Sequence, residues 1–366
     1  MKLISVRSPY FIIVNEASQV GSKVELFIWH KGETEPATAT YTLSKKIAST
    51  TQTKNTYNIS NYAKEFINNI SSAYNGSITE VTDDWVYVKV KRYKETTASN
   101  YTLLNTETFV ACNGYTNGFG VFNQMINDTF IPATLYQQNK TYKFFYGDIP
   151  SIYFFIDYTN DADEYLVRYT NFEAIPNTDE ETILNAATET QYLFSIPISL
   201  GGVNYVDGNK LEIVKNDVVI ATYIFKTECE TKYSPITVEY VNKYGGWDFI
   251  TFFKARTENW EVKNKEYQLL PNDIDYNILR GESKAFNYEA RKSIKVNTGW
   301  LNERYNELIK DLMVSETILL KDTIDASLQS VKLKTMTTDL KTSLQDKMIN
   351  YQIEFEYNYN QINNVI

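Results

Sequence analysis

The sequence predicts a mainly β, multi-domain protein, α+β in detail: antiparallel sandwich or barrel modules with a few short helices. Three observations carry that expectation. Apolar and polar residues alternate over several stretches, the period-2 mark of strands with one buried face. Aromatics make up 14 % of the chain, with 29 Tyr, 19 Phe and 5 Trp; a tyrosine joins a flat apolar body to a wet tip, which suits sheet faces and interfaces. The chain has 366 residues, enough for more than one core. Boundaries are set near 80 and 235, giving an N-terminal β module with one short helix over 1–80, a central β-sandwich or barrel region over 81–234 and a C-terminal β module over 235–366.

The elements follow in order. Val24, Leu26 and Ile28 share one face of a strand that ends at Trp29, and Gly32 and Pro36 mark the turn after it. Ala39 to Ile47 resumes extended structure. Ser60 is a candidate cap for a short helix that buries Tyr62, Phe66 and Ile70. From Trp85 to Tyr93, Val86, Val88 and Val90 face one way and Tyr87, Lys89 and Lys91 the other. Gly114, Gly118 and Gly120 read as a turn or bulge, because the spacing of a phosphate-cradling loop is absent. Short strands over 142–146, 152–158 and 165–169 lead to a turn at Asp207-Gly208-Asn209. A hairpin then folds over Lys215-Asn216-Asp217. Strands this closely spaced favour antiparallel pairing.

Leu301, Tyr305, Leu308, Ile309 and Leu312 fit one face of a helix over 299–314, with Thr298 as its cap and Glu303 near its positive end. Strands follow at 317–321 and 331–336. The clearest pattern closes the chain. From 348 to 359, Ile349, Tyr351, Ile353, Phe355, Tyr357 and Tyr359 alternate with Asn350, Gln352, Glu354, Glu356 and Asn358. A strand of that length spans about 35 Å and suits a barrel or tube wall.

Composition narrows the chemistry. One histidine, His30, leaves no His-His metal pair and no H-E-x-x-H helix within the chain. Cys112 and Cys229 read as buried free thiols. A net charge of −9 argues against nonspecific binding to a nucleic-acid backbone. Residues 1–16 lack the apolar core of a signal peptide, and no stretch approaches the roughly 20 apolar residues of a membrane span. Asp83-Asp84, Asp179-Glu180-Glu181 and the group Asp157, Asp161, Asp163 are the candidate acids or calcium ligands; the plainer reading of each is a solvated surface group. Lys89, Lys91, Arg92 and Lys94 beside Trp85, Tyr87 and Tyr93 could stack on single-stranded nucleic acid, but read better as a solvated strand face. No catalytic constellation, metal site or cofactor is expected.

Several strings are familiar. Cys229-Glu230-Thr231-Lys232-Tyr233-Ser234-Pro235 leads into Val241-Asn242-Lys243-Tyr244-Gly245-Gly246-Trp247-Asp248. This block resembles one found in structural proteins of tailed phages infecting Bacteroidetes, including crAss-like phages. The runs 297–301 and 312–316, the closing 350–357 and 362–365, and the opening Arg7-Ser8-Pro9-Tyr10-Phe11-Ile12 resemble the same group. The likeness covers the ends and the last third, and covers 75–200 poorly. It implies a non-enzymatic tail component of the virion, a hub, ring or baseplate-like subunit. Its partners would be other phage tail proteins in a homo- or hetero-oligomeric ring, with DNA passing through unbound. Tyr233, Pro235, Tyr244, Gly245, Gly246 and Trp247 are then the candidate assembly and turn motif. Glu354 and Glu356, on the wet face of the last strand, are candidate channel-facing groups that would repel passing DNA. A host-receptor or glycan-binding tail protein is the alternative. A cell-wall hydrolase fits least.

Overall fold

The computed structural model describes residues 1–47, 54–69, 77–116, 123–145, 150–158, 163–184, 191–199, 207–228, 232–269, 279, 281–322, 327–340 and 349–360. Gly118, Gly120, Asp161, Cys229 and Ile70 lie outside them. The chain is mostly strand, as the alternation predicts, and divides into two compact units. The first comprises Met1–Cys229 with Tyr240–Phe249, and the second Glu230–Glu239 with Ile250–Ile366.

The first unit opens on a six-stranded sheet in the order β4 (Tyr41–Lys46), β3 (Gly21–Trp29), β7 (Trp85–Thr97), β8 (Asn100–Cys112), β1 (Lys2–Ser5), β9 (Met125–Asn127). Val24, Leu26 and Ile28 from β3 and Val86, Val88 and Val90 from β7 bury one face, at the positions the period predicts. They share a core with Ile12 and Val14 of β2 (Phe11–Asn15) and Tyr57 of β5 (Lys54–Asn58), which pair with each other. The sheet joins strands on both sides of residue 80, so that position lies inside one core rather than between two. β3 and β7 pair directly, from Gly21 opposite Glu95 to Trp29 opposite Tyr87.

The helix α1 (Ser60–Lys64) caps differently from expectation. Ile59 is the residue before it, and Ser60 is its first residue. The Ser60 hydroxyl instead donates to Ser8 O at 2.7 Å and accepts from Tyr10 N at 2.8 Å, tying the helix start to the chain before β2.

Two further sheets complete this unit. One has the order β10 (Phe130–Pro132), β12 (Ser151–Asp157), β15 (Gln191–Pro197), β6 (Thr79–Glu80). The other runs β11 (Thr141–Phe144), β17 (Val218–Thr227), β16 (Asn209–Lys215), β13 (Tyr165–Asn171), β14 (Thr178–Leu184). Among the described residues of this unit, pairing is antiparallel apart from β1 with β8 and β11 with β17. The 215–217 hairpin forms as expected, with Asn216 at φ 47° and Asp217 at φ 63°, the left-handed pair of a tight turn whose twist suits its strands. Tyrosine does much of the packing: Tyr142, Tyr165, Tyr169 and Tyr223 are fully buried. Tyr136 lies 4.6 Å from the Tyr142 ring and 5.2 Å from those of Phe225 and Phe249.

A seven-stranded sheet has the order β19 (Trp247–Phe252), β18 (Ile236–Val241), β22 (Ile318–Asp322), β23 (Leu328–Leu333), β24 (Ile349–Tyr357), β21 (Ser283–Leu301), β20 (Thr257–Gln268), and its last five strands belong wholly to the second unit. β24 buries Ile349, Tyr351, Ile353, Phe355 and Tyr357, the alternation read from sequence. The helix is shorter than expected. Residues 299–301 end β21, Glu303–Tyr305 form a 3-10 turn, and α2 spans Asn306–Val314. Asn302, not Thr298, starts this segment, its side chain accepting from Arg304 N. Thr298 is buried in β21, where its hydroxyl accepts from Tyr351 N at 3.0 Å. Leu308, Ile309 and Leu312 are fully buried on one side of α2, as their spacing predicts. Among the described residues, no helix is long and apolar enough to cross a membrane.

Candidate functional site

The familiar block around Trp247 forms a turn in which each residue type has a physical reason. Gly245 N donates to Asn242 O at 3.0 Å and Asn242 N to Gly246 O at 2.8 Å, while the Asn242 carboxamide oxygen accepts from Tyr244 N. Gly245 sits at φ 82°, and a Cβ there would come 2.7 Å from Cys112 Cβ. A Cβ on Gly246 would come 2.2 Å from Ala133 O. Two backbones therefore approach at positions only glycine fills. Trp247 is buried and donates its indole N–H to Asp84 Oδ2 at 2.8 Å. Asp248 is buried as well and accepts from Thr134 Oγ1, from Leu135 N at 2.8 Å and from Asn242 Nδ2 at 2.9 Å. Most of the motif thus locks its own unit together. Tyr244 is half-buried, Tyr233 is exposed and Pro235 is buried.

Tyr244 and Lys243 also line a cleft of about 380 Å³, with Tyr115, Thr116, Gln124 and Ser5 among its walls. The Lys243 amine lies 4.9 Å from the Tyr244 ring centre.

Three candidate carboxylates differ from the solvated reading. Asp84, Asp157 and Asp163 are buried. Asp157 accepts from the Met1 amino group and from Gln191 Nε2 at 3.0 Å. Asp163 meets Lys215 at 2.8 Å and Asn216 Nδ2 at 3.0 Å, and the Lys215 hydrogen bond holds its pKa below the ordinary aspartate value. The partners offset the desolvation cost of burying each charge, and they come from distant parts of the chain. Glu180 pairs with Arg168 on adjacent strands. Among the described residues, no three His, Cys, Asp or Glu side chains are grouped to hold a metal ion. Burial pushes the Cys112 thiol up to about 12, so it remains protonated and unreactive near neutral pH.

The basic stretch on β7 meets acids of its sheet and of the loop between β3 and β4. Lys89 meets Glu35 at 2.7 Å, Arg92 pairs with Glu107, and the Tyr93 hydroxyl donates to Glu25 at 2.8 Å. Lys91 lies 4.6 Å from the Phe27 ring centre. These partners offset the charge that a nucleic-acid groove would need. His30 Nδ1 lies 3.4 Å from Thr82 O.

Glu354 and Glu356 share the polar face of β24 with cations. Lys334 lies 2.8 Å from Glu354, whose carboxylate also accepts from Ser293 Oγ at 2.9 Å. Lys332 and Arg291 lie 3.0 Å and 3.3 Å from Glu356. These contacts, first Lys334 for Glu354 and Lys332 for Glu356, lower both pKa values. Neither carboxylate presents an uncompensated negative charge.

The surface that sequence reading missed is the β20–β21 arm. All twelve residues of β20 are exposed. Trp260 is 53 % exposed and Val262 58 %, and Tyr267, Phe286 and Tyr288 are exposed too. The signal was present as alternation in Phe286, Tyr288 and Ala290, then Ile294 and Val296. It was diluted by charges on both faces of β20. Where the tyrosines of the first unit are spent on packing, this arm leaves its aromatics in water. Trp260 and Val262 share one face of the arm, and Tyr267 and Phe286 the other.

No family model matches the chain, and no curated protein does.

Proposed function

We propose that this protein is a structural subunit of a bacteriophage tail, a ring or hub component that works by assembly with other tail proteins around the DNA channel. The observation that carries the reading is the β20–β21 arm, a long ribbon that exposes Trp260, Val262, Tyr267, Phe286 and Tyr288. A ribbon with so little buried surface of its own gains stability by lying against another polypeptide. The likeness of the 229–248 block and the closing strand to tail proteins gives the partner class. The candidate acids support a non-enzymatic role, since Asp84, Asp157, Asp163 and Glu180 each hold a structural partner. A negative channel wall built on Glu354 and Glu356 is not part of the proposal, because lysines and an arginine face both.

A glycan-binding tail protein is the second reading, favoured by the cleft between Tyr115, Tyr244 and Lys243. Aromatic faces with nearby polar groups suit a sugar ring. Mass spectrometry of purified particles, followed by location of the chain in an electron-microscopy map, tests the first reading. The expected result is the chain in the tail at a fixed multiple-copy number. Particles that lack it would overturn the assignment. Binding of the full chain on a glycan array, lost on Tyr244→Ala, would select the second reading.

A further inference from the structure

β20 ends its sheet, hydrogen-bonded to β21 on one side and, among the described residues, to no strand on the other. Unpaired edges template pairing with another chain, and proteins blunt them with proline, short length, bulges, charged side chains or a covering element; here the charges of β20 are of both signs and can be matched by a second copy. β20 runs for twelve exposed residues without proline or glycine. The register shift in the arm falls between Lys263 and Lys265, where β21 carries Asn287 at φ 52°. β21 supplies the extra residue there, so β20 itself is continuous.

We propose that β20 pairs edge to edge with β20 of a second copy of this chain, antiparallel about a two-fold axis at Val262. Charge complementarity around Val262 points to a second copy as the occupant and disfavours the two neighbouring registers. Within the arm, Glu261 lies opposite Arg291 and Lys263 opposite Glu289 on one face. Glu261 and Lys263 also lie 3.2 Å apart along the strand. With Val262 on the axis, Glu261 stands opposite Lys263 of the second copy and Lys263 opposite Glu261 of the second copy. Each row across the four strands then alternates in sign, from Arg291 and Glu261 to Lys263 and Glu289 of the second copy. Opposite charges at facing positions stabilise a strand pair, and like charges destabilise it. A slip of one pair either way sets Glu261 or Lys263 against itself. The register also sets Glu258 against Glu266 on each side of the axis, and in each copy Lys292 lies 3.0 Å from Glu258 and offsets its charge.

The other face adds apolar contact. Trp260 and Val262 lie opposite Lys292 and Ala290 and are both more than half exposed. In the pair the two valines meet directly, and each Trp260 lies diagonal to Val262 of the second copy, within reach of a large ring. An isologous contact of this kind closes on itself and removes the free edge.

The test is sedimentation equilibrium of the full chain and of Glu261→Lys and Lys263→Glu, with thermal melts to confirm that each variant is folded. The wild type should self-associate, and each single reversal should raise the dissociation constant at least about tenfold. An equimolar mixture of the two variants should regain association, because both charge contacts across the axis are again of opposite sign. That recovery has no explanation within a single chain. A wild type that stays monomeric at about 100 μM would overturn the proposal, as would self-association unchanged by either reversal. So would a mixture that associates no better than its components. The inference uses the same arm as the tail reading but is tested apart from it: a monomeric chain overturns the strand pair, whereas only particles that lack the chain overturn the tail reading.

Discussion

At the residue scale, the chain spends glycine and buried carboxylate where two backbones meet. Gly246→Ala places a Cβ 2.2 Å from Ala133 O, a backbone atom that cannot swing aside. The expected cost is about 1–3 kcal/mol of stability, read as a lower urea midpoint with an unchanged slope. The glycines and Trp247 were legible as a turn because their conformational demand is local. The carboxylates were not. Asp84 looks like a surface group in the sequence, and its indole partner stands 163 positions away. Asp157 likewise reaches Gln191 across a strand pair, with 34 positions between them. A short polar run carries no trace of a partner supplied by tertiary structure, so burial of its charge has no sequence signal.

At the element scale, strands with one dry face were read well and helix boundaries less so. β24 follows its alternation because a slip of one residue would put Phe355 and Ile353 into water and the glutamates into the core. α2 keeps its predicted face, but the strand before it runs to Leu301, since Thr298 bonds to Tyr351 N and holds β21 in the sheet. Local spacing alone favoured helix there. The β20 arm was invisible because neither of its faces is dry. Two expectations belong at this scale. Asp217 holds φ 63° in the β16–β17 turn, so Asp217→Gly should stabilise by about 0.5–1 kcal/mol and raise the melting temperature. Glu354 and Glu356 have lowered pKa values in the folded chain. The stability they add is complete above the ordinary glutamate value of 4.5. It is lost as pH falls through the lowered folded values. A Glu354→Gln, Glu356→Gln double variant should therefore be less stable at pH 7 and lose less on acidification between about pH 5 and pH 3. Added salt should shrink the difference, because both pairs are partly exposed. An acid limb as steep as that of the wild type in urea titrations would refute this.

At the scale of the whole molecule, the two units are not consecutive stretches of chain. The first takes Tyr240–Phe249 from beyond the start of the second. That short return carries a large share of its locking groups. Trp247 satisfies one oxygen of buried Asp84, Asp248 collects Thr134, Leu135 and Asn242, and Phe249 accepts from the Tyr136 hydroxyl. Removing it takes one hydrogen bond from each of these buried groups, at about 0.5–1.5 kcal/mol apiece, and opens the space filled by an indole and a phenyl ring, about 3–5 kcal/mol more for each. Those losses together are comparable to the entire stability of an ordinary domain, about 5–15 kcal/mol. A fragment ending at residue 229 should therefore lack a cooperative melt and a near-ultraviolet dichroism signal. A fragment ending at 249 should regain both, although it adds only the β18–β19 segment. If the shorter fragment melts cooperatively at the temperature of the longer one, the return segment is ornament to the first unit, and its buried network contributes nothing that the preceding residues do not already supply.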